Sequence, residues 1–505
     1  MKKITFFLFG LLLLVAVLGT ERAYAQLVEP DEARRIAVQW VGSVVASRGA
    51  WAESEFPRVG EMSELRYEGR LVGYQFAVEP TGSVIVSLRR EFAPVKVYSE
   101  TSIFDPSAED GPSDLVRERM ARVIQGVEAL TGRGIDDVDS RAVAEVLETD
   151  YRSAWDRLER GTVEFPSRKD VLRGGDYQEG EILLSTSWDQ RPPYNADCPD
   201  SGCFYSYSPG YNTNALVGCG ATAASQIMTH WCWPPYGVGS PYGDSYDWPN
   251  MYNDCFYGIS AGCFMDMDSD PYVCLSQAQI DAVAELCAEA GQAMLMDYGC
   301  DGSSAFMDDV ESAFENSFRY SSNANRIYRR DYTGAEWFDL IKAQLNLNRP
   351  MEYMVYRHFI VCDGWQEPGI PQYHMNYGWD DSYNAWYTLD ALHYPSGGEL
   401  DDELMLRSIY PNVGIGATFS GTYNPGSMPY LYFMVSSEGV SATLSAGQYI
   451  QFFPGITVGC SDGDVTINGG SPQTTLLFTR GAQTQGARLF GGALKIHPGG
   501  EVCLP

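Results

Sequence analysis

Residues 1–197 contain no cysteine, and all twelve cysteines lie between Cys198 and Cys503. Positive charge is also scarce: 35 Lys and Arg stand against 66 Asp and Glu, a net charge of −31. Such a surface repels phosphate backbones, which excludes nucleic acid as a partner. There are only five histidines, and no HExxH or clustered His/Cys pattern suits zinc. "DMDSD" at 266–270 starts like a calcium loop, but Pro271 and Gln277 stand where Gly and Glu are needed. No metal or cofactor is therefore expected. Beyond the first 25 residues no apolar run approaches the roughly 20 residues of a membrane span, so no transmembrane segment is expected.

The N-terminus does carry a shorter apolar run. Lys2 and Lys3 precede Ile4–Leu18, and Ala23-Tyr24-Ala25 closes the segment with a small-x-small site. This pattern predicts a signal peptide over 1–25 and a secreted protein, extracellular or at the cell surface. About 480 residues remain, room for two to four domains. In an exported protein cysteines are expected to pair. If Cys219 is left free, one other must be too, and Cys362, inside the apolar run "HFIVCDGW", is the candidate.

Composition divides the chain further. Residues 31–48 place Ala33, Ile36, Ala37, Trp40, Val41, Val44 and Val45 on one helical stripe. "LVGYQ" and "SVIVSL" read as strands across the Pro-Thr-Gly turn at 80–82, and a second helix is expected over about 113–131. "SRKDVLRGGDYQEG", 167–180, is charged and has little apolar periodicity, as in an exposed linker where cleavage concentrates. Residues 411–505 set short runs, "YLYFMV", "QYIQFF", "TTLLF" and "ALKIH", between turn residues and predict a small all-β module without a strong repeat. Within it, Gly459–Gly463 fits G-x-S-x-G, but a strand-like run follows where a serine hydrolase needs a helix.

"VGCGATAASQIMTHWCW", 217–233, sets Cys219 between two glycines at the head of a small-residue run. Gly218 suits a sharp entry turn. A thiol at a helix N-terminus is stabilised as thiolate by the free N–H groups and the dipole. The residues themselves also fit a disulfide or a buried cysteine. A nucleophile needs a base. His230, eleven residues on, is about 16 Å away along the same helix, out of reach. His497 lies in the β module and His393 follows a strand exit, leaving His358 and His374 on two strand-like runs. A cysteine at a helix start, then a strand histidine and an asparagine some 140–160 residues later, is the order of papain-like thiol hydrolases.

The chain resembles the streptopain family, a branch of the papain-like clan. "LLSTSWDQRPPYN", "GCGATAASQIMTHWCWPPYGVGS", "AGQAMLMDYGCDGSSAF", "EWFDLIKAQLNLNRPM" and "YHMNYGWDDSYNAWYTLDAL" follow the family's order over about residues 60–410. The resemblance implies an α+β fold: a papain-like two-lobed cysteine peptidase with an N-terminal α+β propeptide and a C-terminal all-β module. The implied division is 1–25 signal peptide, 26–180 inhibitory propeptide, 181–410 peptidase and 411–505 β module. It also implies Cys219 as nucleophile, His358 as general base, Asn376 as the residue orienting it, and Trp379 as an aromatic shield. Ser304 and Ala305 fall at the substrate pocket, and Gln190 is a candidate oxyanion donor. Protein or peptide substrates and the chain's own propeptide are the expected partners. The chain departs from the family pattern at Arg357 and Phe359, bulkier residues expected to narrow the cleft, and at Tyr377 in place of Trp. A catalytically silent binding protein on the same fold and a thiol amidase or transglutaminase are the alternatives.

Cys460 and Cys503 are the only cysteines of the C-terminal module. We expect them to form a bridge worth about 4 kcal/mol by loop closure. Non-reducing peptide mapping checks this, and a link from either to the peptidase part refutes it.

Overall fold

The computed structural model describes residues 27–411, except 109–110, 148, 167–176, 185, 206–212, 232, 235, 245, 252–262, 265–272, 275, 356–357, 381 and 389–402. Beyond 411 it describes only the backbone of short strands. The expected signal peptide, residues 167–176 of the linker, His393, His497 and the Cys460–Cys503 bridge lie outside the described residues.

The N-terminal part is built as its hydrophobic pattern dictates. Helix α1, Pro30–Arg48, begins on a proline, which has no N–H to lose at that position, and stops at Gly49 in the left-handed conformation. Its stripe from Ala33 to Val44 is buried, with Val45 at the margin. Strands β1 (Arg58–Tyr67), β2 (Arg70–Glu79), β3 (Ser83–Ser87) and β4 (Val95–Ser99) form an antiparallel meander, and helix α2, Gly111–Thr131, packs on it.

The peptidase part contributes helix α3, Cys219–Trp231, and strands β5 (Asn325–Tyr328), β6 (Met351–Val355), β7 (His358–Gln366), β8 (Gln372–Asn376), β9 (Ala385–Thr388) and β10 (Leu404–Arg407). All ten strands join in one sheet, ordered β1-β2-β3-β4-β9-β8-β7-β6-β10-β5. The two parts thus meet as sheet neighbours, with Tyr98 opposite Trp386 and Val97 opposite Tyr387. The Ser99 hydroxyl donates to the Asn384 carbonyl at 2.8 Å and the Thr388 hydroxyl to the Val95 carbonyl at 2.6 Å across this joint.

Alternation along the strands divides the interior in two. Met351, Tyr353, Ile360, Cys362 and Met375 face the N-terminal helices, while Phe359, Val361, Leu404 and Leu406 face α3 and the helical lobe behind it. Residues 177–183 already run with the peptidase sheet: Gly180 N–H donates to the Trp365 carbonyl and Leu183 N–H to that of Asp363. The four runs singled out after residue 411 do form strands, at 430–432, 449–452, 475–478 and 493–496. They pair in parallel in one sheet rather than as hairpins. No described helix is long and apolar enough to cross a membrane.

Arg119 of α2 forms an ion pair with Glu403 beside β10, and the Tyr353 hydroxyl donates to the same carboxylate at 3.3 Å. The Arg119 guanidinium, with Arg329 and Lys96, holds the Glu403 carboxyl below its ordinary range against the opposing effect of burial. Arg119→Ala removes the ion-pair partner of that carboxylate and leaves it only Arg329, Lys96 and the Tyr353 hydroxyl. We expect a loss of about 3–5 kcal/mol in urea unfolding of the full chain.

Candidate active site

Gly218 adopts a φ of 92°, in the left-handed region that only glycine enters freely, and α3 starts at the next residue. A side chain at 218 would also collide with Met296 and Ser303. The Ser303 hydroxyl donates to the Leu216 carbonyl at 2.7 Å. Turn and pocket segment are thereby locked together, and Cys219 is left as a free, half-buried thiol at the helix head. Burial pushes its pKa up, opposed by the N–H groups of Phe359, Gly220 and Cys219 itself. The Phe359 N–H brings the chain next to His358 against the sulfur.

The His358 ring stacks on Tyr377 at 5.7 Å and meets Trp379 edge-on at 5.7 Å. Its Nε2 lies 3.2 Å from the Tyr377 carbonyl. A carbonyl only accepts, so Nε2 carries the proton and Nδ1 keeps its lone pair. Burial lowers the His358 pKa to about 4, so at neutral pH the ring is an uncharged acceptor. The rival, His374, is buried with Nδ1 2.6 Å from Asp363 Oδ1 and its ring against Trp386. It is held inside the sheet. The His230 Nε2 lies 3.1 Å from the Asn348 carbonyl at the far end of α3.

Asn376 differs from expectation. Its strand does adjoin that of His358, but the register sets Asn376 opposite Val361, three positions along. Its amide donates to the Thr186 carbonyl at 2.7 Å and to Gln226 at 3.2 Å, and its oxygen accepts from Gly378 N–H at 3.0 Å. It makes no hydrogen bond to His358. It ties α3 to the loop at Thr186 and to the turn that carries Trp379. Phe359 differs too: rather than narrowing a cleft, its ring is buried behind the sheet, 3.5 Å from a Cβ placed on Gly220. Arg357 lies outside the described residues.

The Gln190 carbonyl accepts from Val217 N–H at 2.9 Å, two residues before Cys219. Trp379 lies between His358 and the Arg191 guanidinium, 6.0 Å from its ring. Ser304 is exposed and Ala305 half-buried, on a segment bridged to Asp297 and anchored by the Cys203–Cys300 disulfide. Cys362 is free and buried as expected, but Cys198 and Cys287 are free and buried as well. Free thiols among the described residues thus number four, two more than expected, since thiols also serve as small core residues. Sequence reading missed Gln226, Asp363 and the Tyr377 carbonyl. The only available signal was their polarity inside apolar runs, which says nothing about partners.

Residues 188–387 match the family model of the Peptidase C10 family. Thiol protease/hemagglutinin PrtT of Porphyromonas gingivalis is 28% identical over 270 residues, 48% of this chain and 27% of its own length. The chain thus spans about a quarter of that relative. Streptopain of Streptococcus pyogenes serotype M28 is 23% identical over 354 residues, 66% of this chain and 78% of streptopain. Among solved structures, a prointerpain A fragment of Prevotella intermedia aligns with 69% of this chain and 98% of the fragment, at 21% identity and a TM-score of 0.48. Active interpain A of the same organism covers 45% of this chain and 94% of its own, at 25% identity and 0.34. The region from the loop before Cys219 into β9 thus matches the Peptidase C10 family, and the chain is similar to streptopain-family cysteine peptidases.

Proposed function

We propose that the chain is a secreted cysteine endopeptidase made as a zymogen. The observation that carries the reading is the Cys219 sulfur at a buried helix head, under the N–H of the residue that follows His358. Protein and peptide substrates follow from the reaction type. The Cys219 sulfur bonds to the scissile carbonyl carbon as its proton passes to His358 Nδ1. The resulting oxyanion takes hydrogen bonds from the Cys219 N–H and the Gln190 side chain. His358 then gives the proton to the leaving amine as the C–N bond breaks. Water, deprotonated by His358, attacks the thioester carbon, the C–S bond breaks to free the acid product, and His358 returns the proton to the Cys219 sulfur. Tyr377, through its carbonyl, and Trp379 position the imidazole. Asn376 acts one step back, through Gln226 and the turn. Ser304 and Ala305 border the pocket that takes the substrate side chain.

The N-terminal domain is the natural inhibitor, because it packs on the layer that supports His358. Leu115, Val116 and Arg119 of α2 line a small cavity with Ile360, Tyr373 and Tyr377. The Phe104 ring contacts Tyr383 at 5.2 Å, and Tyr383 in turn contacts Trp379. Both contacts bear on the surroundings of the imidazole.

We expect the purified precursor to cut itself to a mature form starting at about residues 165–185, and Cys219→Ala to abolish the cut. An intact chain that is already fully active refutes the zymogen reading. In the folded protein, His358→Ala should remove hydrolysis of denatured protein, and Gln190→Ala should lower kcat by about 10²–10³. His374→Ala should keep the chemistry and lose stability, about 3–5 kcal/mol in urea, because Asp363 is left buried without its partner. A folded His358→Ala enzyme with near wild-type turnover overturns the assignment.

With His358 uncharged above about pH 4 and the Cys219 thiol shifted upward, the full-length chain holds a neutral pair. Alkylation of Cys219 by iodoacetamide should therefore be slow at pH 6 and rise with pH. It should accelerate at least about tenfold once the N-terminal domain is removed and an ion pair forms. Equal rates before and after removal refute this.

A further inference from the structure

Arg191 stands out because cations are scarce: 35 Lys and Arg serve 505 residues, against 66 Asp and Glu. It follows Gln190, whose carbonyl accepts from Val217 N–H, so the chain at 190–191 runs beside the entry to α3. Its guanidinium lies 6.0 Å from the centre of the Trp379 ring, a cation over an aromatic face. Trp379 in turn meets the His358 ring edge-on at 5.7 Å. A loop cation thus borders the imidazole with one indole between them.

The loop is built to hold it there. Asp189 is buried, its Oδ1 accepts from Gln190 N–H at 2.5 Å, and the Arg191 N–H bonds to the same carboxyl. Its Oδ2 lies 3.6 Å from Arg191 Nη1. That is one long contact to one nitrogen, and a guanidinium carries five N–H donors in a planar fork. The Arg191 side chain keeps 38% of its surface open to solvent, against 8% for Asp189. Asp189 is thus the inner member of the pair and the fork the outer one.

The proposed chemistry fixes which half of a substrate passes this point. His358 hands its proton to the leaving amine, so the half that departs with that amine lies on the imidazole's side of the sulfur. The half that keeps the acyl carbon is left to the segment of Ser304 and Ala305, which packs on Gly218 through Met296 and Ser303. From the imidazole, the leaving half has the Trp379 ring beside it and the Arg191 fork beyond. At about 3.3–3.6 Å per extended residue, the separations of 5.7 and 6.0 Å bring its second or third residue level with the guanidinium.

We propose that Arg191 is a specificity-determining residue: its guanidinium selects substrates with an acidic side chain on the second or third residue after the scissile bond. The inference rests on the peptidase reading above and adds a substrate class to it. A carboxylate there gains charge-assisted hydrogen bonds from the fork, and an ammonium meets like charge. Asp380, exposed one residue after Trp379, carries the opposite sign and stays constant in the comparison below. An Arg191 that served only as a lid on the Trp379 ring would be blind to substrate charge.

The test compares the full chain as wild type, Arg191→Lys, Arg191→Gln and Arg191→Glu, each incubated to allow self-processing. Three matched quenched fluorescent peptides differ only in carrying Glu, Gln or Lys at both the second and third positions after the scissile bond, and the cleavage point is identified by mass. The ratio of kcat/KM between two peptides is independent of how much of each preparation is active. We expect the wild type to prefer Glu over Gln over Lys, with about tenfold between the extremes at low salt. The spread should shrink as ionic strength rises. Arg191→Lys should keep the order, Arg191→Gln should flatten it and Arg191→Glu should reverse it. Where Arg191→Glu does not fold, Arg191→Gln carries the comparison. A Glu-to-Lys ratio near one in the wild type, a ratio unchanged in the variants, or an equal loss on all three peptides overturns the proposal. If the wild type cleaves no peptide, the peptidase reading fails, and binding decides this inference separately. Labelled peptides of the leaving half alone, bearing Glu or Lys, are then titrated by fluorescence anisotropy. Tighter binding of the Glu peptide that is lost in Arg191→Gln supports the assignment, and equal binding overturns it.

Discussion

Helix α3 is enclosed along its length. Every residue from Gly220 to Trp231 is buried, so its polar side chains need partners inside the protein. Those partners organise what surrounds the site. Gln226 accepts from Trp188 N–H at 3.1 Å and exchanges hydrogen bonds with Asn376, pinning the loop before the nucleophile and the strand end beside it. Thr229 bonds back to the Ser225 carbonyl, and the His230 ring meets the Asn348 carbonyl. A buried helix must enter sharply, and Gly218 supplies the turn. The thiol stands where that constraint meets the sheet.

The sheet has its own division of labour. One face carries the aromatic and aliphatic layer under the N-terminal helices, and the other carries the layer under α3. Adjacent residues on β7 serve both: His358 turns towards Tyr377, while Phe359 turns under Gly220 and lends its N–H to the sulfur. The period of two along a strand thus sends neighbouring positions to opposite sides, His358 against Tyr377 and Phe359 beneath Gly220.

How much of this is readable without coordinates depends on range. The buried stripe of α1 and the hairpin across Pro80–Gly82 follow from local periodicity and turn chemistry, and both appear at nearly the expected bounds. The turn at Gly218 and the helix from Cys219 are local as well. The partner of Asn376 is not, because it depends on the register between β7 and β8 and on how α3 lies across them. For the same reason the parallel pairing of 430–432 with 449–452, and of that strand with 475–478, is hidden: each run is short, and nothing in it specifies the direction of its neighbour. Glu352 shows the remaining gap. A glutamate in an apolar strand stands out in the sequence, but only packing reveals that it lies beneath Gly220 with neither carboxyl oxygen hydrogen-bonded.

Strand β4 belongs to the N-terminal domain and β9 to the peptidase, yet they are laddered together in one sheet. Hydrolysis of the connecting chain would leave that ladder untouched. Under the proposed zymogen reading, cleavage and release are then two events with separate barriers, the second being the unzipping of a paired strand, and a nicked complex lies between them. Departure of β4 also leaves β9 as a bare edge, with backbone donors and acceptors free to take up another extended chain.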